Sequence, residues 1–121
     1  MEVLLDSNFI ISCLKRKIDF ISKLEEKGFK ILLPREVFQE LKDLKNKVSH
    51  EDRLAIEIAL KMFESKKVKK TTLGNKSVDL GLIERGRNGS YIATLDAAIK
   101  REVQNKVIIN SAANSIIIER T

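Results

Sequence analysis

Cysteine, histidine and proline each occur only once in this 121-residue chain. The lone Cys13 has no partner for an internal disulfide, and a buried structural thiol is expected of it. The lone His50 reads as a helix-terminus residue with no catalytic part. No apolar run approaches the length of a membrane span. The N-terminus shows no basic stretch followed by an apolar one, so no signal peptide is expected. Together these features fit an intracellular, cytoplasmic protein. No glycine-rich phosphate loop is present. Aromatic residues make up only 5%, and the five Phe read as core rather than as platforms for stacking single-stranded bases. No repeat, low-complexity tract or linker interrupts the chain, so residues 1–121 are expected to form a single domain.

What is abundant is charge. Lys and Arg number 23 against 17 Asp and Glu, for a net charge of +6. With 43% hydrophobic and 33% charged residues the composition is that of an ordinary globular domain. A positive surface serves solubility, and it also attracts polyanions.

The hydrophobic pattern alternates short strands with helices. Glu2 to Leu5 reads as a buried strand, followed by a helix from Phe9 to Leu14 capped by Ser7 or Asn8. Ile18 to Lys27 has helical spacing and Gly28 stops it. Lys30 to Leu33 is a second strand, and Pro34 is expected at the first helical position, where its ring already holds helical φ. Val37, Leu41 and Leu44 form the stripe of that helix. From Glu51 to Ser65 the apolar residues cover an arc of roughly 240°, wider than one core contact requires. Such a helix is buried on two sides or meets another subunit, and a homodimer is expected. Lys66 to Thr71 carries a weak, lysine-rich edge-strand signal. Gly74-Asn75 is a turn, Val78 to Arg87 a helix capped by Ser77, and Ser90 to Leu95 a central strand apolar on both faces. A helix from Ala97 to Gln104 and strands at Val107 to Asn110 and Ser115 to Glu119 complete the chain. This order argues for an α/β fold, a three-layer α/β/α sandwich around a mainly parallel sheet.

Four acids stand at element boundaries. Asp6 closes the first strand and Asp96 follows the apolar run Tyr91 to Leu95, while Glu40 and Asp79 lie in the opening turns of helices. Open α/β sheets bind ligands outside the carboxyl ends of their strands. Carboxylates gathered there require a cation, and oxygen donors favour Mg²⁺ or Mn²⁺. Singly, Asp96 reads equally as a helix cap, Asp79 as a complement to the helix dipole and Glu40 as a solvated residue.

Three stretches carry a family resemblance. Leu4-Leu5-Asp6-Ser7-Asn8, Leu33-Pro34-Arg35-Glu36-Val37-Phe38-Gln39-Glu40-Leu41 and Tyr91-Ile92-Ala93-Thr94-Leu95-Asp96 resemble, in that order, the motifs of PIN-domain ribonucleases. Val78-Asp79 falls where that family has its third acid. The form of the Thr-x-Asp motif, with Lys100-Arg101 behind it, looks most like archaeal VapC-type proteins and a related eukaryotic ribosome-assembly nuclease. The resemblance implies a metal-dependent endoribonuclease with Asp6, Glu40, Asp79 and Asp96 as its catalytic acids. Of these, Asp6, Asp79 and Asp96 would bind the metal. Ser7 and Thr94 would support the metal shell and Asn8 would fix the first turn. The sequence departs from many relatives in having one acid before Glu84 at the third position and none closely following Asp96, so four acids are carried over and no fifth. An antitoxin protein is a further implied partner.

For an RNA substrate the candidate phosphate contacts are Lys15, Arg16 and Lys17, and Lys100 and Arg101, with Arg85 and Arg87 at the end of the Asp79 helix. An RNA-binding or ribosome-assembly module without catalysis is the competing reading. A haloacid-dehalogenase-like phosphatase is disfavoured, because Asp6-Ser7-Asn8 lacks a second aspartate two residues on. A receiver domain would need an acidic pair that the chain does not show.

Overall fold

A computed structural model describes residues 1–65, 68–74 and 76–120. Six strands form one sheet in the order β3-β2-β1-β4-β5-β6. These are β1 (Glu2–Leu5), β2 (Lys30–Pro34), β3 (Lys69–Thr71), β4 (Tyr91–Ala93), β5 (Lys106–Asn110) and β6 (Ser115–Glu119). β1 to β5 run parallel, and β6 returns antiparallel beside β5. The helices are α1 (Ser7–Lys15), α2 (Phe20–Glu26), α3 (Arg35–Leu44), α4 (His50–Glu64), α5 (Val78–Arg87) and α6 (Ala97–Glu102).

The central strands β1, β2 and β4 are buried on both faces, successive side chains pointing to opposite sides of the sheet. In β1, Val3 and Leu5 enter a large cluster shared with Phe9, Phe20, Leu24, Val37, Leu41, Ile56 and Phe63, from α1 to α4. Leu4 between them enters a smaller one with Leu82, Ile92 and Ile99, under α5 and α6. Two helical layers thus sandwich the sheet, as expected from the alternation of elements. α5 approaches closely because Gly86 has no side chain. A Cβ there would sit 2.4 Å from Val103 Cγ1 and 3.1 Å from Ile92 Cγ1.

The departures from the sequence expectation are local. Asp6, rather than Ser7 or Asn8, caps α1. Pro34 ends β2 and serves as the N-cap of α3 at φ −62° and ψ 137°, so the helix begins at Arg35. Proline's fixed φ suits a strand end as well as a first helical turn, and ψ decides between them. β4 stops at Ala93 because Thr94 to Asp96 turn into α6, and α6 ends at Glu102 rather than Gln104. In the edge strand, Lys69 to Thr71 is formed, whereas Lys66 and Lys67 lie outside the described residues, as does Asn75 of the expected turn. Four of the five Phe are buried, but Phe38 is only partly so, with Lys42 Nζ 4.6 Å and Lys70 Nζ 4.7 Å from its ring centre. Cys13 is buried, and desolvation pushes its thiol up to about 12 despite nearby Arg16. The outer face of α4 exposes Leu54 and Ile58, while Ala55, Ile56, Ala59 and Phe63 face inward. No described helix is long and apolar enough to cross a membrane.

Candidate active site

The sheet order reverses direction between β1 and β4. From β1 the chain adds β2 and β3 to one side, then crosses to add β4 and β5 on the other. At such a switch point the loops leaving adjacent strands diverge to opposite faces and open a crevice at the carboxyl edge. Asp6 leaves β1 there, and Thr94 to Asp96 leave β4. α3 starts from the same edge of β2, and α5 follows β3, so Glu40 and Asp79 are also carried to this edge.

Asp6 is 4% exposed and is held from both sides. Its Oδ1 accepts from the Ser7 backbone N–H at 2.9 Å, and its Oδ2 accepts from the Thr94 hydroxyl at 2.7 Å. Ser7 also donates its hydroxyl to Glu40 Oε1, tying α3 to the start of α1. Asn8 Oδ1 accepts from Leu95 N–H at 3.1 Å, which closes the loop after β4 onto α1. Burial raises the Asp6 carboxyl from an ordinary 3.8 to about 6. The Thr94 and Ser7 hydrogen bonds oppose that shift, and the charges of Glu40 and Asp79 add to it. Asp6, Glu40 and Asp79 therefore share one electrostatic environment.

Asp96 is placed at the same edge but is differently engaged. It caps α6, its Oδ1 accepting from Ala98 N–H at 2.8 Å and Ile99 N–H at 3.2 Å. Its own N–H donates to Thr94 Oγ1 at 3.1 Å, so Thr94 stands between the two aspartates. Asp79 is exposed in the first turn of α5, which Ser77 caps. Among the described residues, no three His, Cys, Asp or Glu side chains form a cluster ready to hold an ion. The donor set is nonetheless of one kind, carboxylate and hydroxyl oxygens, which suits a hard divalent cation that retains waters. Each Asp6 oxygen accepts a single hydrogen bond and keeps further lone-pair capacity.

Beside this point lies a cleft of about 390 Å³ lined by Glu36, Glu40, Asp43, Lys47 and Val78 among others. Glu36 and Asp43 were not legible as site residues, since an acid early or late in an amphipathic helix is ordinary. The candidate RNA contacts separate into two groups. Lys15 Nζ is bound to Asp52 Oδ1 at 2.8 Å, Arg87 to Glu102 at 2.5 Å, and Arg85 donates to Thr71 Oγ1 and Thr72 O. Those charges are committed within the fold. Lys17 is exposed, and Arg16 makes only a long contact of 3.5 Å with Ser111 Oγ. Lys100 and Arg101 line a groove with Lys106 and Glu119. Lys106 carried no sequence signal, because a lysine before a strand is common.

An open, doubly wound α/β sheet with a buried carboxylate at its switch point defines the class of the molecule: a mainly parallel α/β domain with an acidic residue at the carboxyl edge. The chain belongs to the PIN-like domain family, whose pattern matches residues 3–111. In structure it is similar to a chain from the VapBC2 complex of Rickettsia felis, a crystal structure bound to a DNA fragment from its promoter. The TM-score is 0.56 at 14% identity, over 85% of this chain and 96% of that one. No curated protein matches the sequence.

Proposed function

We propose that this protein is a metal-dependent endoribonuclease that hydrolyses RNA phosphodiester bonds, as a toxin-like or RNA-processing enzyme. One observation carries the reading: Asp6 is buried at the switch point, is held by Thr94 and Ser7, and is disfavoured as an anion first by that burial and then by the charges of Glu40 and Asp79. A carboxylate so placed is stabilised by a cation. Membership of the PIN-like family supports the same conclusion.

Mg²⁺ or Mn²⁺ would be held by Asp6, Asp79 and Asp96, with Glu40 completing the catalytic acids. When bound, such an ion supplies charge stabilisation at the phosphate and an acidified water for in-line attack. Thr94 and the Ser7 N–H fix the orientation of the Asp6 carboxylate before anything binds. Ser7 aligns Glu40 by occupying one of its oxygens, leaving the other to accept a proton. Asn8 keeps the loop after β4 closed. Arg16, Lys17, Lys100 and Arg101, joined by Lys106, would take phosphates of the strand without reading its bases. The likeness to a VapBC2 chain supports an antitoxin protein as partner.

The engagement of Asp96 Oδ1 with two backbone N–H groups favours a second reading, a non-catalytic RNA-binding or ribosome-assembly module. Cleavage of single-stranded RNA in Mn²⁺, with Asp6→Asn as control, separates the two. Cleavage by the wild type and none by the variant supports the nuclease. RNA binding without cleavage, or equal cleavage by both proteins, overturns it.

A further inference from the structure

We infer that Glu36 is a positioning residue for the acidic edge: its carboxylate clamps Thr72 and Leu73, just after β3, and through Leu73 sets where Asp79 stands. The inference rests on the proposed metal site, and it concerns a residue outside the four acids.

Glu36 lies one turn before Glu40 on α3, and residues four apart share a helix face. While Glu40 takes the Ser7 hydroxyl, Glu36 reaches in the other direction, to the chain after β3. Leu73 N–H lies 3.1 Å from Glu36 Oε1 and 3.0 Å from Oε2, and the Thr72 hydroxyl donates to Oε2 at 3.0 Å. Thr72 Oγ1 in turn accepts from Gly74 N–H at 3.2 Å. From the opposite side Arg85 of α5 donates to Thr71 Oγ1 and Thr72 O, each at 3.3 Å. Residues Thr71 to Leu73 are therefore gripped between an acid of α3 and a cation of α5.

The grip is passed on by packing. Leu73 is 7% exposed, and a Cβ on Gly81 would meet Leu73 Cβ at 2.7 Å. Leu73 can approach α5 this closely only because position 81 is glycine. Gly81 is two residues beyond Asp79, in the same helical turn. Moving Leu73 thus moves the start of α5, and with it the carboxylate that acts on Asp6. Burial works against the charge on Glu36, but its own N–H, the Leu73 and Thr72 donors and nearby Arg35 outweigh it and hold the carboxyl below its ordinary value. The acid thus stays ionised beside Glu40 and Asp43, although the cleft is already rich in negative charge. A single helix thereby registers two of the site's acids, Glu40 directly and Asp79 through the clamp.

A double-mutant cycle on Mn²⁺ affinity tests this, using the metal alone and electron paramagnetic resonance of free Mn²⁺. Glu36→Ala should weaken Mn²⁺ binding about tenfold or more, the size typical of residues that orient metal ligands. Glu36→Gln, which keeps one acceptor for Leu73 N–H, should fall between. On an Asp79→Asn background Glu36→Ala should cost little further, because its effect runs through Asp79. Full additivity, or wild-type affinity in both Glu36 variants, overturns the clamp. If Glu36→Ala does not fold, the cycle is run with Glu36→Gln. A wild type that binds no Mn²⁺ overturns the nuclease reading and the clamp together, whereas a binding wild type with unaffected Glu36 variants overturns the clamp alone.

Discussion

Thr94 Oγ1 donates to Asp6 Oδ2 at 2.7 Å, joining the ends of two neighbouring parallel strands across 88 positions of sequence. The bond favours the Asp6 anion against the burial that disfavours it. Thr94→Val should therefore push the Asp6 carboxyl further above about 6. It should also destabilise the fold at pH 8 by about 1–3 kcal/mol, the loss of a hydrogen bond to a buried charged group. Carbon-detected NMR titration of the carboxyl checks the first and urea unfolding the second. An unmoved Asp6 titration would show that the bond does not tune this acid.

Asp6 also links metal-free stability to pH. Its folded value is raised, so the folded state binds the proton more tightly than the unfolded chain does. The contribution is most favourable below the ordinary 3.8 and is lost as pH rises to about 6. The loss amounts to roughly 3 kcal/mol at most. Asp6→Asn removes it, so in chelator the variant should exceed wild type in stability above pH 6 and converge with it near pH 4. Added Mg²⁺ or Mn²⁺ should raise the wild-type Tm more than that of the variant. Equal thermal shifts in both proteins would take Asp6 out of the metal site.

Packing at the β4 face of α5 offers a test independent of chemistry. A methyl at Gly86 meets Val103 and Ile92 below contact distance. Gly86→Ala should cost about 1–3 kcal/mol through overpacking, more than offsetting the helix propensity of alanine. Gly28, at φ 86° with no atom near a built Cβ, fails for a different reason, since alanine there is strained by the backbone alone. A Gly86→Ala protein as stable as wild type would mean that α5 shifts freely on the sheet.

The outer face of α4 bears Leu54 at 46% and Ile58 at 51% exposure, one turn apart. A symmetric pairing that buries this face against its own copy is the expected assembly. Leu54→Lys with Ile58→Lys should give a folded monomer, whereas Ile56→Lys with Leu60→Lys should unfold the domain, because Ile56 is in the core. Sedimentation of the wild type decides the matter, and a monomer at tens of micromolar rules the dimer out.

Much of the fold was legible because its signals are local. Val78–Arg87 matches the expected helix end to end, since Ser77 caps it and Asn88-Gly89 stops it within one turn. The double-faced burial of β1 and β4 follows from their uninterrupted apolar residues. The placement of Asp6 and Asp96 at strand ends could be read for the same reason. Pro34 was misplaced by one position, because its φ is compatible with both neighbouring elements and only ψ distinguishes them.

By itself, the sequence determined the alternation of strands and helices, the parallel sheet it implies, and the position of Asp6 and Asp96 just beyond apolar strand runs. These depend on side-chain period, caps and breakers acting over a few residues. Tertiary structure alone decided how those acids are used: Thr94 on Asp6, Ser7 on Glu40, Asp96 turned to its own helix, and Glu36 on the loop before α5. Three of these bonds join residues 33 to 88 positions apart. No local pattern encodes such partners, because they meet only when the sheet order, the crossing of α3 and the glycine-permitted approach of α5 are all in place.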